Sequence, residues 1–151
     1  MSCFIIAPDS FKGTMSAKEV CGIVAACLRE KAPDAQIINI PMSDGGEGMV
    51  DSYLNIIGGQ AMTARVTGPR GAALDCVYGV LPNGSAVMEM ASCAGLMLME
   101  GKLDPMHATT RGVGELLLLL EKAGHKKVLM GIGGSATNDC GVGMAHALGY
   151  R

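Results

Sequence analysis

Tryptophan is absent from these 151 residues, and aromatics amount to two Phe and three Tyr. A core must therefore be built from Val, Ile, Leu, Met and Ala. No apolar run approaches the ~18 residues of a spanning helix, which excludes a transmembrane segment of the ordinary helical kind. The six cysteines (Cys3, Cys21, Cys27, Cys76, Cys93, Cys140) are scattered without a C-x-x-C pair. That pattern argues against a zinc or disulfide framework and for reduced thiols in the cytoplasm. Charge of either sign is modest, and a net −2 argues against nucleic acid or an anionic membrane as partner. The N-terminus, Met1-Ser2-Cys3-Phe4-Ile5-Ile6-Ala7, has no basic region ahead of its apolar residues, so a secretory leader is not expected.

What the chain has in plenty is glycine. Its 22 glycines are about twice the ~7% average share, and they cluster beside polar residues instead of forming linkers. With 49% hydrophobic residues there is material for a core. The order of elements reads as α/β. Cys3–Ala7 suits a parallel strand buried on both faces. Ser16-Ala17-Lys18-Glu19 is a capping box that starts a helix, with Val20, Ile23, Val24 and Leu28 at helical spacing and Pro33-Asp34 at its end. Gln36–Ile40 reads as a second strand, and a second helix is expected from Gly46 to Ile57.

Around Ala61 the style changes. Thr63–Thr67, Leu74–Leu81 and Ala86–Met90, separated by Gly68-Pro69-Arg70-Gly71 and Asn83-Gly84, read as antiparallel hairpins. A helix from about Gly112 to Ala123 leads to a strand over Lys127–Ile132, expected to join Cys3–Ala7 and Gln36–Ile40 in one parallel sheet. The division expected is residues 1–60 for the start of a first domain and 61–151 for the start of an inserted one.

Three loops follow three strands, where ligands bind in open α/β sheets. Ala7-Pro8-Asp9-Ser10-Phe11-Lys12-Gly13 offers a carboxylate, a hydroxyl and the mobile Lys12 cation, or else is a solvated turn. Ser43-Asp44-Gly45-Gly46-Glu47-Gly48 brings two acids and three glycines to a helix start. Acids there also complement the helix dipole, yet glycines at ~0.5–1 kcal/mol each are a cost that close backbone approach would explain. Gly131-Ile132-Gly133-Gly134-Ser135-Ala136-Thr137-Asn138-Asp139 follows the third strand, aiming backbone N–H groups and hydroxyls at an anion. Asp139 either caps the next helix or holds Mg²⁺ beside phosphate oxygens. Ala108-Thr109-Thr110-Arg111-Gly112-Val113-Gly114-Glu115, with hydroxyls, Arg111 and two glycines at a helix start, either grips an anion or caps the helix. Glu89, an acid in an apolar strand, faces solvent or a cleft. His107, His125 and His146 stand alone. No G-x-G-x-x-G follows the first strand, which disfavours a Rossmann-like dinucleotide binder.

These motifs, with Val66-Thr67-Gly68-Pro69 and Glu89-Met90-Ala91, resemble in order the signatures of the bacterial glycerate kinase family over essentially the whole chain. The resemblance implies ATP-dependent phosphoryl transfer to a hydroxyl of D-glycerate with Mg²⁺. It also implies a flavodoxin-like parallel-sheet domain interrupted by an inserted α/β domain. Family members run to well over twice this length, so the resemblance is to the N-terminal portion. A chain of this length is then expected to be inactive and prone to self-association through open strand edges, a non-catalytic fragment being the alternative. The roles implied are Lys12 neutralising charge and Asp44 orienting the attacking hydroxyl. Asp9, Ser10, Gly45, Gly46, Glu47, Thr110, Arg111, Gly133, Gly134, Ser135 and Asn138 would bind substrate or phosphate, with Asp139 near the metal. Cys140 departs from the family pattern, standing where a glycine is usual.

Overall fold

The computed structural model describes residues 2–11 and 13–151. The chain divides into two compact units, Met1–Asp44 and Gly45–Arg151. It is α/β throughout, with a parallel two-stranded sheet in the first unit and a mixed four-stranded sheet in the second.

In the first unit β1 (Cys3–Ile6) and β2 (Gln36–Asn39) run parallel in the register Cys3↔Gln36 to Ile6↔Asn39. The crossover between them is α1 (Ala17–Lys31). Its start is the expected capping box. Ser16 Oγ accepts from the Glu19 N–H at 3.2 Å, and the Ser16 N–H donates to Glu19 Oε2 at 2.7 Å. Two orphan donors of the first turn are satisfied reciprocally. The buried stripe differs from the one expected. Ala17, Cys21 and Ala25 face the strands, with Leu28 and Ile37 beside them, whereas Ile23 is 54% exposed. Small side chains at i, i+4 and i+8 let the helix lie close on two short strands, and bulky residues on that stripe would hold it off. Nor is β1 covered on both faces: Ile6 is buried and Ile5 exposed, because one helix shields one side of a two-stranded sheet.

The second unit opens with α2 (Met49–Ile57), then β3 (Gln60–Thr67), β4 (Ala73–Val80) and β5 (Ala86–Glu89). The chain continues through α3 (Ala91–Ala94), a 3-10 turn (Leu96–Met99), α4 (Arg111–Lys122), β6 (Val128–Gly131) and α5 (Val142–Ala147). Helix α2 starts three residues later than expected, because Gly45 and Gly48 both have φ near +87° and cannot belong to a right-handed helix. Strands β3–β4 and β4–β5 are the expected antiparallel pairs. The second turn closes as its sequence predicts, with Asn83 Oδ1 accepting from the Ser85 N–H and Gly84 at φ +80°.

Strand β6 corrects an expectation. It pairs in parallel with β5, from Ala86↔Val128 to Glu89↔Gly131, and completes the order β3-β4-β5-β6. The helix between β5 and β6 makes a βαβ crossover, which returns a strand beside the one it left. Every residue of β5 is buried. Ala86 and Met88 face a core with Val66, Cys76, Cys93, Val113, Leu116 and Leu120. Val87 lies on the other side with Met49, Val50 and Leu81. With α4 on one face and α2 on the other, the carboxyl ends of β5 and β6 emerge side by side.

Candidate active site

Two glycine loops meet at those strand ends. The Gly133 N–H donates to Gly45 O at 2.9 Å, tying the loop after β6 to the loop before α2. The approach leaves no room for side chains. A Cβ at Gly131 would collide with Gly45 O and Met49 Sδ, and one at Gly133 would lie 2.8 Å from Gly46 N. At Gly131 and Gly133 glycine serves backbone contact, whereas at Gly45 a Cβ would make only ordinary contacts and at Gly48 none, so those two answer to a left-handed φ near +87° and not to the close approach expected of them. The structure therefore brings Gly45, Gly46 and Glu47 together with Gly133 and Gly134.

The far side of the Gly131–Asp139 loop is pinned as well. The Leu96 N–H donates to Gly134 O and the Ala136 N–H to Ala94 O, both at 2.9 Å. Ser135 Oγ lies 2.8 Å from Thr137 Oγ1 and accepts from the Thr137 N–H. Gly134, Ser135 and Asn138 are exposed. The N–H groups of Gly134 and Ser135 have no partner among the described hydrogen bonds. The loop is thus fixed at its edges and presents donors at its tip.

Glu89 resolves the choice that the sequence left open. It is 9% exposed and ends β5. Its Oε1 accepts from the Gly48 N–H at 3.3 Å, and its Oε2 from the Val50 N–H at 3.2 Å. Burial pushes its carboxyl above the usual range, and the N–H donors of Val50, Gly48 and Met49 offset this only in part. The residue faces neither solvent nor an empty cleft; it caps α2. A lone acid closing an apolar strand, next to glycine loops, was the signal for it.

Asp139, half-buried, and Thr110, buried, form a second junction. Asp139 Oδ2 accepts from the Thr110 N–H at 2.9 Å, Thr110 Oγ1 at 2.8 Å and the Gly143 N–H at 3.1 Å. Its Oδ1 accepts from the Gly141 N–H at 3.2 Å. Thr110 is 2% exposed, and its hydroxyl also accepts from the Met144 N–H. Burial alone would raise the Asp139 carboxyl. The donors of Thr110, Gly143 and Gly141 outweigh it and hold the carboxyl below its usual range. Arg111 pairs through Nε with Glu115 Oε1 at 2.9 Å. Glu115 also takes the N–H and hydroxyl of Thr67, so this i, i+4 pair docks α4 on the end of β3.

The remaining expected residues belong to the first unit. Asp9 is exposed, its Oδ1 accepting from the Ser10 N–H at 2.7 Å, and Ser10 is half-buried. Asp44 is exposed. Lys12 lies outside the described residues. Of the histidines, His107 is not isolated, pairing with Asp104 at 2.9 Å, and His125 Nδ1 lies 2.9 Å from Gly84 O. An open cleft of about 510 Å³ between the Gly68–Leu74 turn and Met97–Glu100 is lined by none of the expected site residues. Among the described residues no three His, Cys, Asp or Glu converge as a ready-made metal cage, and no helix is long and apolar enough to cross a membrane.

These features define an α/β protein whose glycine loops meet at the carboxyl ends of two parallel strands. The model of the glycerate kinase family matches residues 4–151, and the chain belongs to that family. It is 44% identical over 149 residues to the glycerate 2-kinase of Escherichia coli K12, covering 97% of this chain and 39% of that protein. It is 43% identical to the glycerate kinase of Bacillus subtilis 168, with the same coverage. A crystal structure of a Salmonella typhimurium LT2 protein assigned as glycerate kinase 2 superposes with a TM-score of 0.77 at 41% identity. It covers 98% of this chain and 40% of the other. The chain thus spans about two fifths of the length of the relatives it matches.

Proposed function

We propose that this chain supplies substrate- and phosphate-handling loops of a glycerate kinase, which transfers a phosphoryl group from ATP to a hydroxyl of D-glycerate. The observation that carries the reading is the meeting of the Gly45–Gly48 and Gly131–Asp139 loops at the ends of β5 and β6, with the N–H groups of Gly134 and Ser135 at the tip. Backbone donors at such a point cradle phosphate oxygens without the desolvation cost of a charged side chain.

In the proposed mechanism Gly133, Gly134, Ser135 and Asn138 hold phosphate oxygens, and Lys12 neutralises charge that develops during transfer. Asp44 orients the acceptor hydroxyl and takes its proton as the new P–O bond forms and the bridging P–O bond of the donor breaks. Asp9, Ser10, Gly45, Gly46 and Glu47 would position glycerate, and Thr110 and Arg111 would back the phosphate loop. Mg²⁺, when bound, supplies charge neutralisation across phosphate oxygens. Asp139 fits it in one way: Oδ2 is filled by three donors, while Oδ1 takes one and keeps a lone pair. A single carboxylate oxygen beside phosphate oxygens and waters is a usual Mg²⁺ arrangement. The six free thiols support a reducing, cytoplasmic setting.

The test is a coupled ADP-release assay across small hydroxy acids. It uses the 151-residue chain alone and the same chain joined to the remaining part of the Bacillus subtilis relative. Turnover with glycerate in the joined protein supports the reading. No turnover with glycerate, alongside good turnover with an unrelated acceptor, ends it.

A further inference from the structure

Among the described residues Glu89 is the only carboxylate that is buried, and it sits where an anion would otherwise bind. The N-terminus of α2 carries a partial positive charge and N–H groups in need of acceptors. Gly48, at φ +87°, offers no side-chain cap. Glu89 reaches across from the end of β5 and fills both needs, one oxygen on Gly48 and the other on Val50. The opposite end of the same loop is held by the Gly133 N–H on Gly45 O. Glu89 itself pairs in the ladder with Gly131, so both anchors spring from the same two strand ends.

Two consequences follow for where anions go. Two donors at the start of α2, the N–H groups of Gly48 and Val50, are already spent on a fixed carboxylate, and the Met49 N–H donates to Gly46 O. A second anion arriving there would meet a like charge in a poorly solvated place, which repels strongly. The N–H groups of Gly134 and Ser135 face no such competitor.

We propose that Glu89 is a positioning residue: a built-in anion that locks the Gly45–Gly48 loop and directs the anionic groups of substrate away from α2, toward Gly134–Ser135. The idea rests on the glycerate kinase reading for its consequence in catalysis, but not for the binding pattern it predicts.

The experiment follows backbone amide resonances of the 151-residue chain by nitrogen–proton NMR while inorganic phosphate is added. Expected are shifts at Gly134 and Ser135, with Gly48 and Val50 unmoved. Glu89→Gln keeps an acceptor oxygen and removes the charge, and there phosphate shifts Gly48 and Val50 as well. Glu89→Ala exposes those two amides to solvent exchange at least ~10-fold faster, the loss of one hydrogen bond of ~1.4 kcal/mol, and added formate restores their protection. The proposal is overturned if phosphate moves Gly48 and Val50 in the unsubstituted chain, or leaves Gly134 and Ser135 unmoved. It is equally overturned if Glu89→Gln reproduces the unsubstituted pattern. The phosphate titration of the unsubstituted chain needs no variant to fold. In the joined protein, Glu89→Gln should lower kcat at least ~10-fold without raising KM for ATP, and Glu89→Asp should recover part of the loss. Absence of glycerate turnover in the unsubstituted joined protein, with the phosphate shifts as expected, would remove the kinase reading and leave the role of Glu89 standing.

Discussion

Replacing Asp139 by Ala tests how much of the second unit hangs on one carboxylate. The substitution removes the acceptor for four donors: the N–H and Oγ1 of Thr110, and the N–H groups of Gly141 and Gly143. Gly141 and Gly143 are half-buried, and water can replace part of what they lose. Thr110 is 2% exposed, so its N–H would be left in a dry place. Hydrogen bonds to a charged group are worth about 1.5–3 kcal/mol each, and the two from Thr110 to one oxygen share that oxygen. A loss of about 3 kcal/mol follows, and at 2–4 °C per kcal/mol for a chain of this size the melting temperature falls by roughly 6–12 °C. The pH dependence carries a sign. The folded carboxyl titrates below its usual 3.8, so its contribution is present above that value and is lost as pH falls through the folded pKa. The gap between the parent chain and Asp139→Ala should therefore narrow in acid. Thermal melts from neutral pH down to about pH 3 decide it. A drop of under ~2 °C at neutral pH, or a gap that widens in acid, would refute the reasoning.

Gly133→Ala places a methyl group 2.8 Å from Gly46 N; backbone must yield, at about 1–3 kcal/mol by thermal or urea unfolding. Cys140 sits at φ +52°, a conformation that costs an L residue ~1–2 kcal/mol. Cys140→Gly should accordingly raise the melting temperature by a few degrees at most, read by the same scan. Lys12→Ala in the joined protein should lower turnover at least ~10²-fold with little change in melting temperature, as loss of one contact to developing charge does. A large melting shift with unchanged activity per folded molecule would make Lys12 structural.

Local chemistry was legible before the structure, and long-range partnership was not. Ser16 and Glu19 lie three residues apart and cap the same helix, so their spacing carried the whole message. Asn83-Gly84 likewise announces its own turn. The strand over Val128–Gly131 reads as apolar in either of two sheets, since its own residues do not say which neighbour it will pair with. The stripe on α1 misled because Ile23 and Val24 are bulkier than Ala17, Cys21 and Ala25, while close packing favours the smaller set. The short segments Ala91–Ala94 and Leu96–Met99 fall below the length at which periodicity can be read. In the site, the glycines announced the loops, but the Glu89 and Asp139 carboxylates accept from backbone 39 and 29 residues away. No spacing rule spans such a gap.

Phosphorus NMR of the joined protein incubated with ATP, Mg²⁺ and D-glycerate tests the central claim most directly. The account predicts a phosphate ester resonance coupled to glycerate protons, growing as the terminal phosphate signal of ATP declines. It also predicts that the signal disappears when Lys12 and Asp44 are both replaced by Ala. Loss of the ATP signal to inorganic phosphate alone, with no ester formed by a protein that folds and binds ATP, would contradict it.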